Sequence, residues 1–542
     1  MKEYLRERIH AALTAAGVSV EPASIQLEAP NQPEHGDLAT NVAMTLAKQE
    51  KKNPRQIATE LVEHFQRDDE KIAAVEIAGP GFINFRFADG YVKDEAFRIL
   101  KEAGNYGKTA DSSGRVNVEW VSANPTGPLH AGHGRQVCIG ATLCNLLEWT
   151  GWDVTREYYF NNAGNQMNNL AETVRERYLE ALGDAPDEEK VHYVGDYVKE
   201  IGRGIVEEHG EAKRDAALDF FRGEGEKWCF AHITRTLDKL GVKHDVFFNE
   251  DALYKEGKID AVLQQFKEKD LSYEQEGATW LRTTAFGTDK DRVIVKSTGE
   301  PTYRLPDIAY HIEKVQRGYD KIIDIFGADH MAAYPDVIAG VKALGHETGH
   351  IDVIIHQMVS FVNEGESVKM SKRSGNVYYL NDLIDDVGVD AVRYFFIMRG
   401  VNTHLEFDIK LAQEQSEKNP VYYLQYAHAR IASILRFAAD EGFSLTDEGS
   451  FSNLDHQSEI ELMKKLLDFP GVLEMSARNY EIHHIGNYLN EVATAFHKFY
   501  HDCRVVTEDK ELSRSRLQLC RAVQQVLRNG FAVLGISAPE KM

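Results

Sequence analysis

The sequence predicts an α/β protein in three parts: a central parallel-sheet domain, a smaller α/β module before it and an α-helical bundle after it. Three observations predict this. Between residues 115 and 160 a strand-like run passes through a glycine-rich turn into a helix-like run and then a second strand, which is a βαβ unit with parallel strands. Dense β-branched segments return at KIIDIF and IDVIIHQMV, as expected of strands buried on both faces. Beyond about residue 400 strand signals nearly vanish and apolar residues recur at helical spacing. At 542 residues the chain exceeds what one compact core holds, so several domains are expected.

In order along the chain, residues 1 to about 105 form the first module. Helical stretches such as LATNVAMTLAKQ lead to the strand-like EIAGPGFINFRF, and GNYGKTADSSG, with three glycines, serves as a linker. In RVNVEWVSA, Val116, Val118 and Trp120 alternate with Asn117 and Glu119, the period of a strand. RQVCIGATLCNLLEW places Val137, Leu143, Leu146 and Leu147 at helical spacing, with Gly151 placed to stop the helix. VTREYYF is the next strand. Residues 170 to about 300 are charged and mostly helical, end in the hairpin-like TWLRTTAF…DRVIVKS, and are expected to be an insertion within one nucleotide-binding domain of residues 112–400. In the last part, 401–542, Asn419 is an expected N-cap with Pro420 at the first helical position. Leu424, Ala427, Ile431 and Leu435 follow at helical spacing, and LMKKLLDFPGVLEM, YLNEVATAFHKFY and LQLCRAVQQVLRNGFAVLG continue the pattern.

The charge balance, 62 basic against 85 acidic residues for a net −23, argues against a uniformly basic nucleic-acid surface while leaving room for local patches. The five cysteines, Cys138, Cys144, Cys229, Cys503 and Cys520, show no CxxC spacing and are expected to be reduced thiols, with no metal site. MKEYLRERIHAAL lacks the apolar core of a secretory signal, and no run is long enough to span a bilayer. A cytoplasmic protein is expected, with no membrane partner.

The turn between the first strand and its helix reads PTGPLHAGHGR. In a doubly wound sheet, ligands sit beyond the carboxyl ends of the strands, where a helix N-terminus offers free N–H groups to an anion. Gly127, Gly132 and Gly134 let a polyanion approach the backbone, and His130 and His133 can donate to phosphate oxygens as charge builds in the transition state. Alone, an HxGH sequence describes a solvated surface turn. Here a second cationic stretch, VKMSKRSGN at 368–376, follows the strand IDVIIHQMV, where lysines on a loop can close over a triphosphate.

Together these stretches resemble the HIGH and KMSKS signatures of class I aminoacyl-tRNA synthetases, with Ala131 in place of the Ile of HIGH. NPTGPLHAGHGR followed by YYFNNAGNQ resembles the arginyl-tRNA synthetase family in particular, and the likeness extends over nearly the whole chain. HGDLATNVAMTLAK and IAGPGFINFRF look like the family's N-terminal tRNA-binding module; GVDAVRYFFIMRG and YLQYAHARI look like the start of its anticodon-binding helices. The resemblance implies a Rossmann-type catalytic domain that uses ATP, with Mg²⁺, to join L-arginine to tRNA(Arg). It implies His130, His133, Lys369 and Lys372 as catalytic residues. Ala123, Asn124, Pro125, Thr126, Gly127, Pro128, Leu129, Ala131, Gly132, Met370 and Ser371 complete the ATP-binding signatures.

An arginine side chain calls for carboxylates that accept its planar fork. The resemblance implies that Glu119, Asp307 and Tyr303 hold the guanidinium, that Asn124 holds the α-amino group, and that Tyr334 contacts the ligand. Candidate tRNA contacts are Lys48, Lys51, Lys52 and Arg55 in the first module. Arg504, Arg514, Arg516, Arg521 and Arg528 are candidates near the end, with Tyr422, Tyr423 and Tyr426 as stacking platforms or bundle core. A monomer is expected. Two other readings share the first signature: a nucleotidyltransferase acting without tRNA, against which the 140-residue helical tail argues, and a non-catalytic RNA-binding paralogue, against which the intact histidines and lysines argue.

Overall fold

A computed structural model describes the chain except for Asn31 and residues 329–330, 368–377 and 445–447. The first module comprises α1 (Lys2–Ala15), β1 (Leu38–Thr40), α2 (Val42–Glu50), α3 (Pro54–His64), β2 (Ile72–Ala78) and β3 (Phe82–Phe87), with an antiparallel sheet in the order β1-β3-β2. EIAGPGFINFRF is therefore a hairpin and not one strand. Gly79 and Gly81 turn it at φ 54° and 143°, and a Cβ on Gly81 would lie 2.9 Å from the Pro54 backbone. The next helix, α4 (Asp89–Glu102), packs away from this sheet: Phe97 meets Phe451 edge-on at 5.0 Å, and buried Lys93 reaches Asp455 at 2.6 Å.

The central sheet has five parallel strands in the order β11-β10-β4-β5-β6, formed by β4 (Gly114–Glu119), β5 (Trp152–Phe160), β6 (Val246–Asn249), β10 (Lys321–Gly327) and β11 (Ile351–His356). The crossover from β4 to β5 is α5 (Gly134–Trp149), in which Val137, Leu143, Leu146 and Leu147 are buried as their spacing demands. Between β5 and β6 run α6 (Gly164–Ala181), α7 (Asp196–His209) and α8 (Leu218–Lys239), which share their own apolar core. Two expectations change here. The stretch 170–300 is not wholly an insertion, because β6 belongs to the main sheet. β11 is an edge strand and only partly buried, so its β-branched run does not mark burial on both faces.

After β6 come α9 (Asp251–Lys255), α10 (Lys258–Glu268) and a small antiparallel sheet of β7 (Ser272–Gln275), β8 (Ala278–Leu281) and β9 (Arg292–Val295). α11 (Arg304–Gln316) returns the chain to β10, and α12 (Tyr334–Ala343) links β10 to β11. A third small sheet, β13-β12-β14, uses β12 (Val359–Asn363), β13 (Glu366–Ser367) and β14 (Leu405–Asp408), around α13 (Leu380–Val387) and α14 (Val389–Ile397). A short α15 (Ile409–Gln413) precedes the bundle of α16 (Pro420–Asp440), α17 (Gln457–Leu467), α18 (Phe469–Asn479), α19 (His483–Asp502) and α20 (Lys510–Leu534). Asn419 caps α16 by accepting from the Val421 and Tyr422 N–H groups at 3.1 and 3.4 Å. LMKKLLDFPGVLEM is split between α17 and α18, with Pro470 in the first turn of the second helix. All five cysteines are free and buried. No described helix is long and apolar enough to cross a membrane.

Candidate active site

At the carboxyl end of β4 the backbone leaves the sheet through two successive left-handed residues, Val121 (φ 72°) and Ser122 (φ 45°). A β-branched residue there is strained, and strain of this kind persists where neighbours hold the chain firmly. They do so here. The Ser122 hydroxyl donates to Glu119 Oε1 at 2.9 Å and accepts from the Tyr159 N–H at 3.2 Å, and the Tyr158 hydroxyl donates to the Ala123 carbonyl at 2.7 Å. Asn124 accepts from the Asn161 N–H at 3.0 Å and donates to Gln166 Oε1 at 2.9 Å. Tyr197 donates to the Thr126 carbonyl at 2.7 Å.

The histidine turn that follows is a short 3₁₀ segment, Ala131–His133, running directly into α5. The two imidazoles stack with centroids 3.6 Å apart, and His133 Nδ1 accepts from the His130 N–H at 3.2 Å. That bond assigns the proton of a neutral His133 to Nε2. The stretch after the second signature lies alongside: the Ala131 N–H donates to the Tyr378 carbonyl and the Leu380 N–H to the Leu129 carbonyl, both at 2.8 Å. The glycines have a second purpose. A Cβ on Gly134 would lie 2.4 Å from the Phe396 ring, so the glycine lets α14 close on α5. Lys369, Met370, Ser371 and Lys372 lie outside the described residues.

Three acids stand abreast on the sheet. Register pairs Asp324 of β10 with Glu119 of β4, and Glu119 with Glu157 of β5, so their side chains share one face. α11 covers that face with bases three residues apart. His311 meets Asp324 at 3.0 Å, Lys314 bridges Glu119 and Asp324 at 2.5 Å each, and Arg317 grips both oxygens of Glu157 at 2.8 and 2.9 Å. Burial works against the Lys314 ammonium, but Asp324 and Glu119 more than offset it and raise its pKa, while Lys314 and His311 hold the Asp324 carboxyl far below the usual range.

Asp307, in the first turn of α11, is different. Burial pushes its carboxyl up to about 7; His311 and Lys314 pull it down, and Glu250 and Glu119 push it further up. Among the described residues neither Asp307 nor Glu250 is ion-paired. The structure thus brings Glu119 and Asp307 near one another, and joins Asn124 through Asn161 to Glu250, a further neighbour of Asp307. It does not bring Tyr303 into this cluster. Tyr303 is 55% exposed, its ring lies under the Arg304 guanidinium at 4.7 Å, and it meets Asp307 only through its carbonyl, which accepts the Asp307 N–H at 3.2 Å. Tyr334 opens α12 half-buried against Phe326, 6.2 Å between centroids; burial chiefly, with Asp324 nearby, raises its phenol pKa.

Lys314, Asp324, His311, Asn161 and Glu250 were not foreseen from the sequence. A signal existed: VNVE, VTRE and KIID each carry an acid within a strand, and His311, Lys314 and Arg317 recur every three residues. Several candidate tRNA contacts are engaged with acids. Lys52 pairs with Glu60 at 2.7 Å, Arg514 with Glu511 at 2.6 Å, and Arg516 with buried Glu459 at 2.7 Å, whereas Lys51 and Arg55 are exposed. Tyr422, Tyr423 and Tyr426 are half-buried, so neither a wholly core nor a wholly exposed reading holds; Tyr422 and Tyr426 lie nearly parallel, 6.4 Å apart. No group of three or more potential metal ligands occurs among the described residues.

Residues 3–87 match the family model described as the arginyl tRNA synthetase N terminal domain, residues 95–396 the class I (R) tRNA synthetase catalytic domain, and residues 424–542 the DALR anticodon binding domain. The chain belongs to the arginyl-tRNA synthetase family. It is 48% identical to the arginine–tRNA ligase of Salinibacter ruber, over all of both chains. It is 45% identical to that of Bacillus subtilis, over all of this chain and 99% of the other. A putative arginyl-tRNA synthetase structure from Campylobacter jejuni superposes with TM-score 0.78 at 32% identity, covering 84% of this chain and 100% of that one. The arginyl-tRNA synthetase of Thermus thermophilus gives 0.80 at 21% identity over all of both chains, a likeness of fold. Within this family the parallel sheet is the class I catalytic domain, and its carboxyl edge carries the histidine turn and the acids.

Proposed function

We propose that this chain joins arginine to tRNA(Arg) in two steps at the carboxyl edge of the central sheet. In the first, an arginine carboxylate oxygen attacks the α-phosphorus of ATP. The bond to the bridging oxygen breaks and pyrophosphate leaves with its electron pair. In the second, the terminal ribose 2′-hydroxyl of the tRNA attacks the arginyl carbonyl, loses its proton, and AMP departs. His130 and His133, at the start of α5, donate to the α-phosphate as its charge grows, and Lys369 and Lys372 neutralise the leaving pyrophosphate. Mg²⁺ would arrive on the ATP phosphates, since hard oxygen ligands suit it. The protein works as a cytoplasmic monomer in this reading.

The observation that carries the reading is Asp307: a half-buried acid in the first turn of α11, facing Glu119 and Glu250 and without an ion pair among the described residues. A ligand bearing a planar cation relieves that imbalance and a neutral one does not. ATP–pyrophosphate exchange with arginine, measured with and without tRNA(Arg), tests it. Exchange without any need for tRNA at later steps would favour the nucleotidyltransferase reading, and no exchange under either condition the non-catalytic one.

Two further results are expected. Lys372→Ala slows adenylate formation by the equivalent of ~3–4 kcal/mol, the usual cost of one lost transition-state contact, while arginine binding stays nearly intact. A single-turnover measurement at saturating ATP decides it, and an unchanged rate removes Lys372 from the mechanism. Second, kcat/KM for arginine, which reports ionisations of the free enzyme, declines as pH falls through about 7, where Asp307 takes up its proton and loses the charge that attracts the ligand. The sign is that of a raised carboxyl: the ionised, binding-competent form exists above the shifted pKa. A flat profile from pH 8 to 6 would contradict the assignment.

A further inference from the structure

Arg135 is the second residue of α5, just after His133 and Gly134, yet none of it reaches solvent: its exposure is 0%. Nη1 donates to the Gln357 carbonyl at 2.8 Å and Nη2 to the Gly400 carbonyl at 3.0 Å. Gln357 lies where β11 gives way to β12, and Gly400 lies between α14 and β14. These two segments are themselves joined. The Gln357 N–H donates to the Val401 carbonyl at 3.0 Å, and β12 then runs parallel to β14. One guanidinium thus fastens the histidine turn to the small sheet β13-β12-β14.

Neither partner is an acid. Among the described residues Arg135 makes no ion pair, and its Nε is buried without a hydrogen-bond partner. Burial lowers its pKa to about 10, which leaves it charged at neutral pH. Its position adds a second cost, because the first turn of a helix carries partial positive charge. Buried Arg393 shows the contrast. It donates to the Leu240 carbonyl at 2.8 Å and the Leu534 carbonyl at 3.1 Å, at the carboxyl ends of α8 and α20, where helix dipoles attract a cation. A neutral amide also donates to carbonyls, so the clamp by itself does not account for a charge held at Arg135 against both costs. An anion at the adjacent histidine turn does, since a buried cation attracts it through low-dielectric protein.

We propose that Arg135 is a positioning residue for adenylate formation: it fixes the histidine turn against the β13-β12-β14 sheet and places behind that turn a buried positive charge that no described acid cancels. This rests on the placement of the ATP phosphates at His130 and His133. Enclosed as it is, Arg135 acts through the turn and through its field. It holds the triphosphate before the reaction and favours the charge that builds as pyrophosphate leaves.

The test compares Arg135→Gln, Arg135→Lys, Arg393→Gln and His133→Asn by thermal melting and by pyrophosphate release, with tRNA(Arg) present and ATP and arginine varied in turn. Arg135→Gln keeps a donor for one carbonyl and removes the charge. Its release at saturating ATP should slow by about tenfold, a size that a charge acting without contact can supply. KM for ATP should rise and KM for arginine should not. Arg135→Lys keeps the charge and should recover the rate to within about threefold of wild type. Burial is the one influence on a cation at this position, so the lysine titrates below its usual pKa. That variant alone should therefore lose rate and ATP affinity as pH rises from 7 to 9. Arg393→Gln should melt lower with unchanged kinetic constants, as a merely structural arginine would. If Arg135→Gln melts lower but keeps its rate and both KM values, the proposal is overturned. It is equally overturned if Arg135→Lys is as slow as Arg135→Gln at pH 7, or if its profile runs parallel to the wild type's, a result that stands even where Arg135→Gln does not fold. If His133→Asn is itself indistinguishable from wild type, the phosphates bind elsewhere and both readings fall.

Discussion

Asp307→Asn lowers kcat/KM for arginine by about 10²-fold or more and shrinks the preference for arginine over citrulline. The side chain keeps its shape and one carbonyl oxygen but loses its charge and presents an amide donor towards a ligand that is all donors. Removing one partner of a desolvated charge pair typically costs about 2–5 kcal/mol. Sites that hydrogen-bond a ligand group reject the analogue lacking it by ~10⁴-fold; here the asparagine accepts the neutral urea of citrulline nearly as well as the guanidinium. Lysine gains little, because a point cation cannot span two carboxylates in a planar fork. The variant should also lose the acid limb near pH 7, since an asparagine does not titrate. Aminoacylation with arginine, citrulline and lysine measures all of this, and wild-type efficiency and selectivity would place the guanidinium elsewhere.

Lys314→Met destabilises the protein by about 3–5 kcal/mol, the cost of leaving buried charge unpaired. The methionine fills a similar volume, so the loss is chiefly electrostatic: Glu119 and Asp324, each 2.5 Å from the ammonium, remain buried with only His311 nearby for Asp324. The pH dependence has a definite sign. In the native protein Asp324 is held far below the usual carboxylate range. Its contribution to stability is therefore present above the unfolded carboxylate pKa and lost as pH falls through the folded one. Without Lys314 that contribution is missing at neutral pH and above, while at acid pH the carboxylates can take up protons and the deficit narrows. Thermal melts of both proteins at pH 8 and pH 5 check this; an equal shift at both would mean that Lys314 acts by packing alone.

Short-range features of this protein were legible in the chain itself. The alternation in VNVE, the glycines and histidines of LHAGHG, and Asn419 followed by Pro420 each act over a few residues, so a strand, a strand-to-helix turn and a capped helix could be read before any fold was known. The candidate acids Glu119 and Asp307 were recognised as such through the company they keep in a known family.

Other features depended on tertiary pairing. VFFN is four residues long with no clear period, and only its parallel pairing with β5 makes it a strand of the main sheet. Asp324, Glu119 and Glu157 lie about 200 and 40 residues apart in sequence and come abreast only because register joins β10, β4 and β5. Which base answers which acid was then decided by the seating of α11 over that face. Among the described residues Asp307 makes no ion pair, because Lys314 and His311, on the same helix, are already held by Asp324 and Glu119. A local pattern specifies what a segment is. Who neutralises a buried charge is a property of non-local neighbours, and here that decided which acids are paired with bases.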